Sequence, residues 1–372
     1  MKSDALESST GHDNTNSSHR NFGESPLNIL FLSSGDRVPS SRFRILPYLQ
    51  HFRSDGHRVA VLHSFPQKYD YFPWIGFRPS QLLKRSVRWW HWLRTKLQRF
   101  DVVFIDREIF DNTSIDMERR FRESCGRLVI DLDDAVFLRY PEKFQQLMKM
   151  ADLVVCGNRY LAEYAELHGK SLVIVPTSID IEDYEPKDWN QKAAALVVGW
   201  IGTSGNLKYL AVAAEALRRL SSETAFELQI VVDDITPLRD IDLSGVQVQH
   251  IPWHGSSAPQ QIRRFDIGIM PLFENQPWDQ YKCGFKLVQY LATGIPGVAA
   301  PIGVNADLLD GGRNGLAAQT TDEWFQALQT LARDPEIRKT MGNHGRKMIE
   351  KHFTIQGNYP ALRDAIRRVV DM

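Results

Sequence analysis

Asp131-Leu132-Asp133-Asp134 places three carboxylates within four residues. Such a cluster repels itself unless a cation, an arginine or a sugar hydroxyl relieves it. It ends the apolar run 127–131, which reads as a strand, and ligands of open α/β sheets bind beyond the carboxyl ends of strands. A helix N-cap cluster is the competing reading. Arg107, followed by Glu108, sits just after the preceding apolar run and is a candidate counter-charge. Upstream, Ser33-Ser34-Gly35 closes another run, and Ser41-Arg42-Phe43-Arg44 opens a helical pattern. Gly35 would let a ligand approach the backbone, and Arg42 and Arg44 would pair a phosphate or an acidic acceptor. Ordinary turn chemistry explains the same residues.

Two further constellations lie in the second half. Gly199-Trp-Ile-Gly202-Thr203-Ser204-Gly205-Asn-Leu-Lys208 joins a strand pattern to a helix pattern. Backbone N–H groups of such a loop suit a diphosphate, with Lys208 adding a point charge, although a plain strand–helix turn has the same composition. Trp278-Asp-Gln-Tyr281-Lys282-Cys-Gly284-Phe285-Lys286-Leu-Val-Gln289-Tyr290-Leu-Ala-Thr-Gly294-Ile-Pro296 reads as a glycine-opened helix that runs through Gly-Ile-Pro into a strand. Lys286 and Gln289, three residues apart, share a helix face directed at a ligand. The dinucleotide and P-loop glycine fingerprints are absent.

The elements that would position these residues follow from periodicity. Apolar runs at 27–32, 58–62, 101–105, 127–131, 152–156 and 171–175 read as strands, most of them continuously apolar as in a sheet covered on both faces. Helices are expected at 41–53 and 159–168. The polar, aperiodic stretch 183–192 reads as an interdomain linker. The rhythm then restarts: strands at 195–201, 226–232, 246–250, 266–270 and 297–300, and helices at 207–220, 285–292 and 322–333. Two successive α/β halves emerge. Residues 1–26, rich in Ser and Asn, read as a disordered tail.

Composition narrows the class. The 372 residues carry 45 Lys+Arg and 45 Asp+Glu, so a general polyanion binder is disfavoured. Three widely spaced cysteines, Cys125, Cys156 and Cys283, fit a reducing compartment and give no zinc spacing. No apolar run is long enough to span a membrane. Residues 78–99 stand out: seven Lys/Arg, no acid, and Trp89, Trp90 and Trp92. They read as a surface helix with core tryptophans or as an interfacial helix on anionic headgroups, with nucleic-acid binding a distant third.

Over residues 27–355 the chain resembles GT-B glycosyltransferases of the group-1, family-4 type. Gln289-Tyr-Leu-Ala-Thr-Gly294-Ile-Pro296 matches the second half of that family's Glu-x7-Glu-Ala-x-Ala-x-Gly-x-Pro helix. Gly199-Trp-Ile-Gly202, Asn158-Arg-Tyr-Leu161, Val175-Pro176-Thr-Ser-Ile-Asp180, Pro301-Ile-Gly303-Val-Asn305 and Asp310-Gly-Gly-Arg-Asn314-Gly315 resemble its other loops. The resemblance implies two Rossmann-like domains facing across a cleft: 27–185 for the acceptor, 186–355 for the sugar nucleotide, and 356–372 as a helix crossing back. It implies retaining transfer from a UDP- or GDP-sugar with no metal required. The acceptor would be a glycan, a lipid-linked sugar or a small molecule, met in the cytoplasm or at the inner face of the membrane.

Residue by residue, the resemblance puts Gly202, Thr203, Ser204, Lys208, Tyr281, Lys282, Gly284, Phe285 and Gln289 on the donor. Combined with the domain roles it implies, the readings above put Gly35, Arg42, Arg44 and Arg107 on the acceptor, and Asp133, Asp134 and Lys286 at the reaction centre. The two family glutamates fall on Tyr281 and Gln289; Asp279 and Lys282 are candidate stand-ins for the first. A non-catalytic GT-B binding protein and a sugar-nucleotide epimerase are the alternatives.

Overall fold

The computed structural model describes residues 25–169, 171–190, 195–255 and 257–372. The tail expected at 1–26 falls outside these up to residue 24, as do residues 191 and 192 of the expected linker. Ser25 is already tied down, its carbonyl accepting from Arg367 at 2.9 Å.

Among the described residues, twelve strands form two sheets. The first contains β1 (Asn28–Ser33), β2 (Arg58–His63), β3 (Val102–Asp106), β4 (Arg127–Leu132), β5 (Leu153–Cys156) and β6 (Leu172–Ile174), in the order β2-β1-β3-β4-β5-β6. The second contains β7 (Leu196–Ile201), β8 (Phe226–Val232), β9 (Gln247–Pro252), β10 (Ile267–Met270), β11 (Gly297–Ala299) and β12 (Gly315–Ala317), in the order β12-β11-β10-β7-β8-β9. Every paired neighbour is parallel. Parallel strands need crossovers, and helices supply them. These are α1 (Pro39–Arg44), α2 (Leu49–Ser54), α3 (Phe77–Leu97), α4 (Asp116–Arg122), α5 (Pro141–Met150) and α6 (Arg159–Glu166), then α7 (Ala214–Glu223), α8 (Ala258–Ile262), α9 (Phe285–Ala292), α10 (Val304–Leu309), α11 (Thr321–Arg333), α12 (Pro335–His352) and α13 (Ile355–Asp371). Both sheets are of the Rossmann-like, doubly wound kind. Each reverses its strand order at one switch point, between β1 and β3 in the first and between β7 and β10 in the second. Ligand sites are expected there.

Core burial explains the continuous apolar strands. β1, β3 and β4 are buried almost throughout, covered on one face by α4 and α5 and on the other by α2 and α13. The last helix returns to the first sheet: Ile355, Tyr359, Leu362 and Ile366 pack with Ile29, Phe31 and Phe104. The segment between the sheets is pinned to the second one, where Lys187 pairs with Asp266 at 3.1 Å and donates its N–H to the Thr293 carbonyl.

Two helical expectations change. The pattern at 41–53 is split, because Pro47 lacks an N–H and the chain turns through a 3-10 segment, Leu46–Tyr48, between α1 and α2. The helix expected over 207–220 begins as a 3-10 segment, Ser204–Val212, before α7. Leu207, Leu210 and Ala213 are all fully buried at a spacing of three, the repeat of a 3-10 helix.

Candidate functional site

A cleft of about 1280 Å³ opens between the two sheets at the carboxyl ends of their strands. Its floor includes Ile201 and Gly202 after β7 and Met270 after β10, at the second switch point.

α9 is the best-placed element. Tyr290 is buried; its hydroxyl donates to the Ile269 carbonyl and accepts from the Ile201 N–H, both at 3.2 Å. That clamps the helix over the switch point. Close approach is possible because position 268 is glycine: a Cβ there would fall inside the Tyr290 ring. Gly284 opens the helix at φ +63°, a left-handed conformation that favours glycine. With the apolar face of α9 turned inward, Lys286 and Gln289 line the cleft.

Among the described residues Lys286 has no hydrogen-bond or ion-pair partner; its ammonium lies over the Trp200 ring, 5.5 Å from the centroid. Loss of water around it, with Lys282 adding repulsion and Asp279 opposing, pulls its pKa down to about 7. Gln289 is buried and donates to the Tyr184 hydroxyl at 3.0 Å. Lys282, Gly284, Phe285 and Thr203 also line the cleft.

Several expected donor residues go elsewhere. Lys208 is exposed over the Tyr209 ring and lies outside the cleft lining. The side chain of Ser204 is outside it too, its N–H donating to Asp233 at 3.3 Å. Tyr281 turns into the first domain, edge-on to Phe137 at 4.9 Å, while its carbonyl accepts from Asn158 at 2.8 Å. It is a domain contact, so the reading of Tyr281 as a sugar contact is corrected. Asp279 is fully buried and accepts from the Tyr209 hydroxyl at 2.6 Å and the Phe273 N–H at 3.1 Å. It is thereby removed as a stand-in.

The acid cluster on β4 resolves into three roles. Asp131 receives two hydrogen bonds from Arg44, at 2.6 and 2.7 Å, and both side chains are buried. Arg44 also donates to the Val175 carbonyl at 2.9 Å and to Thr177. With four of its five N–H groups so occupied, its side chain buried and outside the cleft lining, Arg44 is a structural cation. Asp133 is held by two bonds from Arg107, which keeps its carboxyl below the usual range despite burial. Arg107 adopts φ +60°, rare for a non-glycine residue, and neither partner lines the cleft. The readings of Arg107 as an acceptor contact and Asp133 as a catalytic group are corrected accordingly. Asp134 alone of the three faces the cleft. Burial and neighbouring Asp133 raise its pKa, with Arg107 opposing. Gly35 is covered by Gln67 and does not reach the cleft, so its reading as an acceptor contact is corrected too.

Arg42 does reach it, and bridges the domains. It donates to the Gly255 carbonyl at 2.8 Å and stacks on Trp253, 4.9 Å from the centroid. Its neighbour Phe43 meets Phe285 across the cleft at 4.3 Å. Tyr184, Asp233, Trp253 and Arg37 line the cleft without having been singled out in the sequence. Asp233 and Trp253 follow β8 and β9 directly, so the strand-end rule that selected Asp134 would have found them. Among the described residues no group of three or more His, Cys, Asp or Glu side chains is placed to hold a metal ion.

Residues 194–334 match the family described as Glycosyl transferases group 1. No curated protein matches the chain by sequence. Among solved structures, sucrose-phosphate synthase from Thermosynechococcus elongatus superposes with a TM-score of 0.71 at 12% identity, over 92% of this chain and 99% of that one. HepE from Anabaena, solved in complex with UDP, gives 0.63 at 16% identity, over 92% and 100%. A glycosyltransferase from Rickettsia africae gives 0.65 at 10% identity, over 92% and 99%. These likenesses define the class as the GT-B fold of two Rossmann-like domains. The chain has the GT-B fold, and its second domain carries the match to Glycosyl transferases group 1 over residues 194–334. No helix among the described residues is long and apolar enough to cross a membrane.

Proposed function

We propose that this chain transfers a glycosyl group, with retention, from a UDP- or GDP-sugar held by the second domain to a carbohydrate-bearing acceptor held by the first. The observation that carries the reading is Lys286, a cation unpartnered among the described residues, at the first turn of α9 beside Lys282 and the loop at Gly202 and Thr203. Breaking an anomeric C–O bond leaves negative charge on a diphosphate. A desolvated ammonium and backbone N–H groups stabilise that charge as it develops. Gln289, steadied by Tyr184, is suited to ribose hydroxyls, since an amide both donates and accepts. Asp134, with its raised pKa, is suited to bind the acceptor hydroxyl and take its proton. The UDP bound in HepE supports a nucleotide sugar as donor. A closed cleft would keep water from the reacting carbon.

The test is calorimetric titration with UDP, GDP and their sugar conjugates, followed by transfer to glycan and lipid-linked acceptors with the product anomer read by NMR. Binding of one nucleotide series and a product of unchanged anomeric configuration is expected. Folded protein that binds none of them overturns the reading, and an inverted product overturns retention.

A further inference from the structure

α3 is built inside out. Its inward stripe is polar: Ser80, Lys84, Arg88, His91 and Thr95 are buried. The cations serve backbone carbonyls, Lys84 those in the loop after β2 and Arg88 those at the ends of β1 and β2. Lys84 donates to the Lys68 carbonyl at 2.6 Å, and Arg88 donates to Ser33 at 2.6 Å and Leu62 at 3.1 Å. The outward face is apolar. Leu82 and Trp90 are each 67% exposed and Leu97 is 87% exposed, with Trp89 and Leu93 beside them. The loop before the helix and the helix's first residue continue the patch, Trp74 at 81% and Phe77 at 62%. Trp92 is the exception, half-buried with its indole N–H on the Arg120 carbonyl. Soluble surfaces rarely expose this much contiguous aromatic and aliphatic area without a partner.

Charge says which partner. Arg78, Arg85, Arg94, Lys96 and Arg99 are exposed on the same helix and its end, and none has an acidic partner among the described residues. Segment 77–99 contains no acid. A protein partner would have to match cations and indoles in one arrangement; an anionic lipid surface matches both at once, headgroups to the cations and the interfacial layer to the indoles. The patch also borders the cleft. Asp70 of the loop pairs with Arg37, which lines the cleft, at 2.8 Å.

We propose that the outer face of α3, with Phe77, and the loop at Trp74 dock on an anionic phospholipid bilayer, bringing the acceptor side of the cleft to the membrane surface. This docking is independent of the transfer chemistry. The test is co-sedimentation of the full chain with vesicles of phosphatidylcholine alone and of phosphatidylcholine with phosphatidylglycerol in equal parts. The expected result is binding to the mixed vesicles, weakened by added salt, and little to phosphatidylcholine. The double variant Trp89→Ser, Trp90→Ser and the double variant Arg85→Glu, Arg94→Glu should each weaken it by about tenfold or more. Their far-UV spectra and their titration with nucleotide should not change. No binding to mixed vesicles by folded protein overturns the proposal. So does a dimer in sedimentation velocity that the tryptophan variant dissociates, which would assign the patch to a second copy.

Discussion

At the scale of residues, two cations separate by what they touch. Lys286 faces an open cleft with no ion-pair partner among the described residues, and its pKa pulled down to about 7 makes its charge the variable on which the proposed donor binding should turn. A diphosphate prefers the ammonium, so affinity should fall as pH rises through about 7, and binding should take up a proton above that value. Calorimetry in buffers of different ionisation enthalpy reads both effects. Lys286→Met should lower nucleotide affinity by about tenfold or more at pH 6 and flatten the pH dependence. A variant with an unchanged profile would take Lys286 out of the donor site. Arg44 is the opposite case. It is buried against Asp131, and removing one partner of such a pair strands a buried charge. Arg44→Leu should cost about 3–5 kcal/mol in urea unfolding. Asp134, partly open to the cleft, should behave differently: Asp134→Asn should leave stability within about 0.5 kcal/mol while lowering turnover.

At the scale of elements, α9 shows how tightly a site helix can be specified. Gly284 adopts φ +63°, and a Cβ there would lie 2.6 Å from Leu308. Gly284→Ala should therefore destabilise the fold by about 1–3 kcal/mol and weaken nucleotide binding, because the strain falls on the turn carrying Lys282 and Lys286. Denaturant unfolding alongside calorimetry checks this. α9 was legible in the sequence because its apolar side and its cleft side alternate with helical period. α3 was legible as a helix but not in its orientation, since seven cations and three indoles do not reveal that Lys84 and Arg88 point inward at backbone carbonyls. The acid cluster failed for a related reason. Strand ends attract ligands, yet they also gather acids and bases from the same chain, which neutralise each other first. Asp131 with Arg44 and Asp133 with Arg107 are such pairs, made between residues 87 and 26 apart, and no local spacing encodes them.

At the scale of the molecule, the domains meet through a small set of contacts around the cleft, and Arg42 sits where opening would break them. Its guanidinium spans from α1 to the Gly255 carbonyl and the Trp253 face, while Phe43 meets Phe285 beside it. On the far side, Asn158 and Asp133 hold the Tyr281 carbonyl and the Cys283 thiol. An exposed cation-to-carbonyl bond with one stacking contact contributes little to global stability, but it biases the closed arrangement over the open one. Closure should matter more for chemistry than for donor binding, because the residues proposed to meet the diphosphate all lie within the second domain, whereas Asp134, the proposed acceptor carboxylate, lies in the first. Arg42→Ala should therefore raise the radius of gyration of the free protein in small-angle scattering. It should lower turnover by about tenfold and leave nucleotide affinity within about twofold. Unchanged scattering with unchanged turnover would show that the cleft closes without this contact, and an equal loss in nucleotide affinity would place Arg42 on the donor instead.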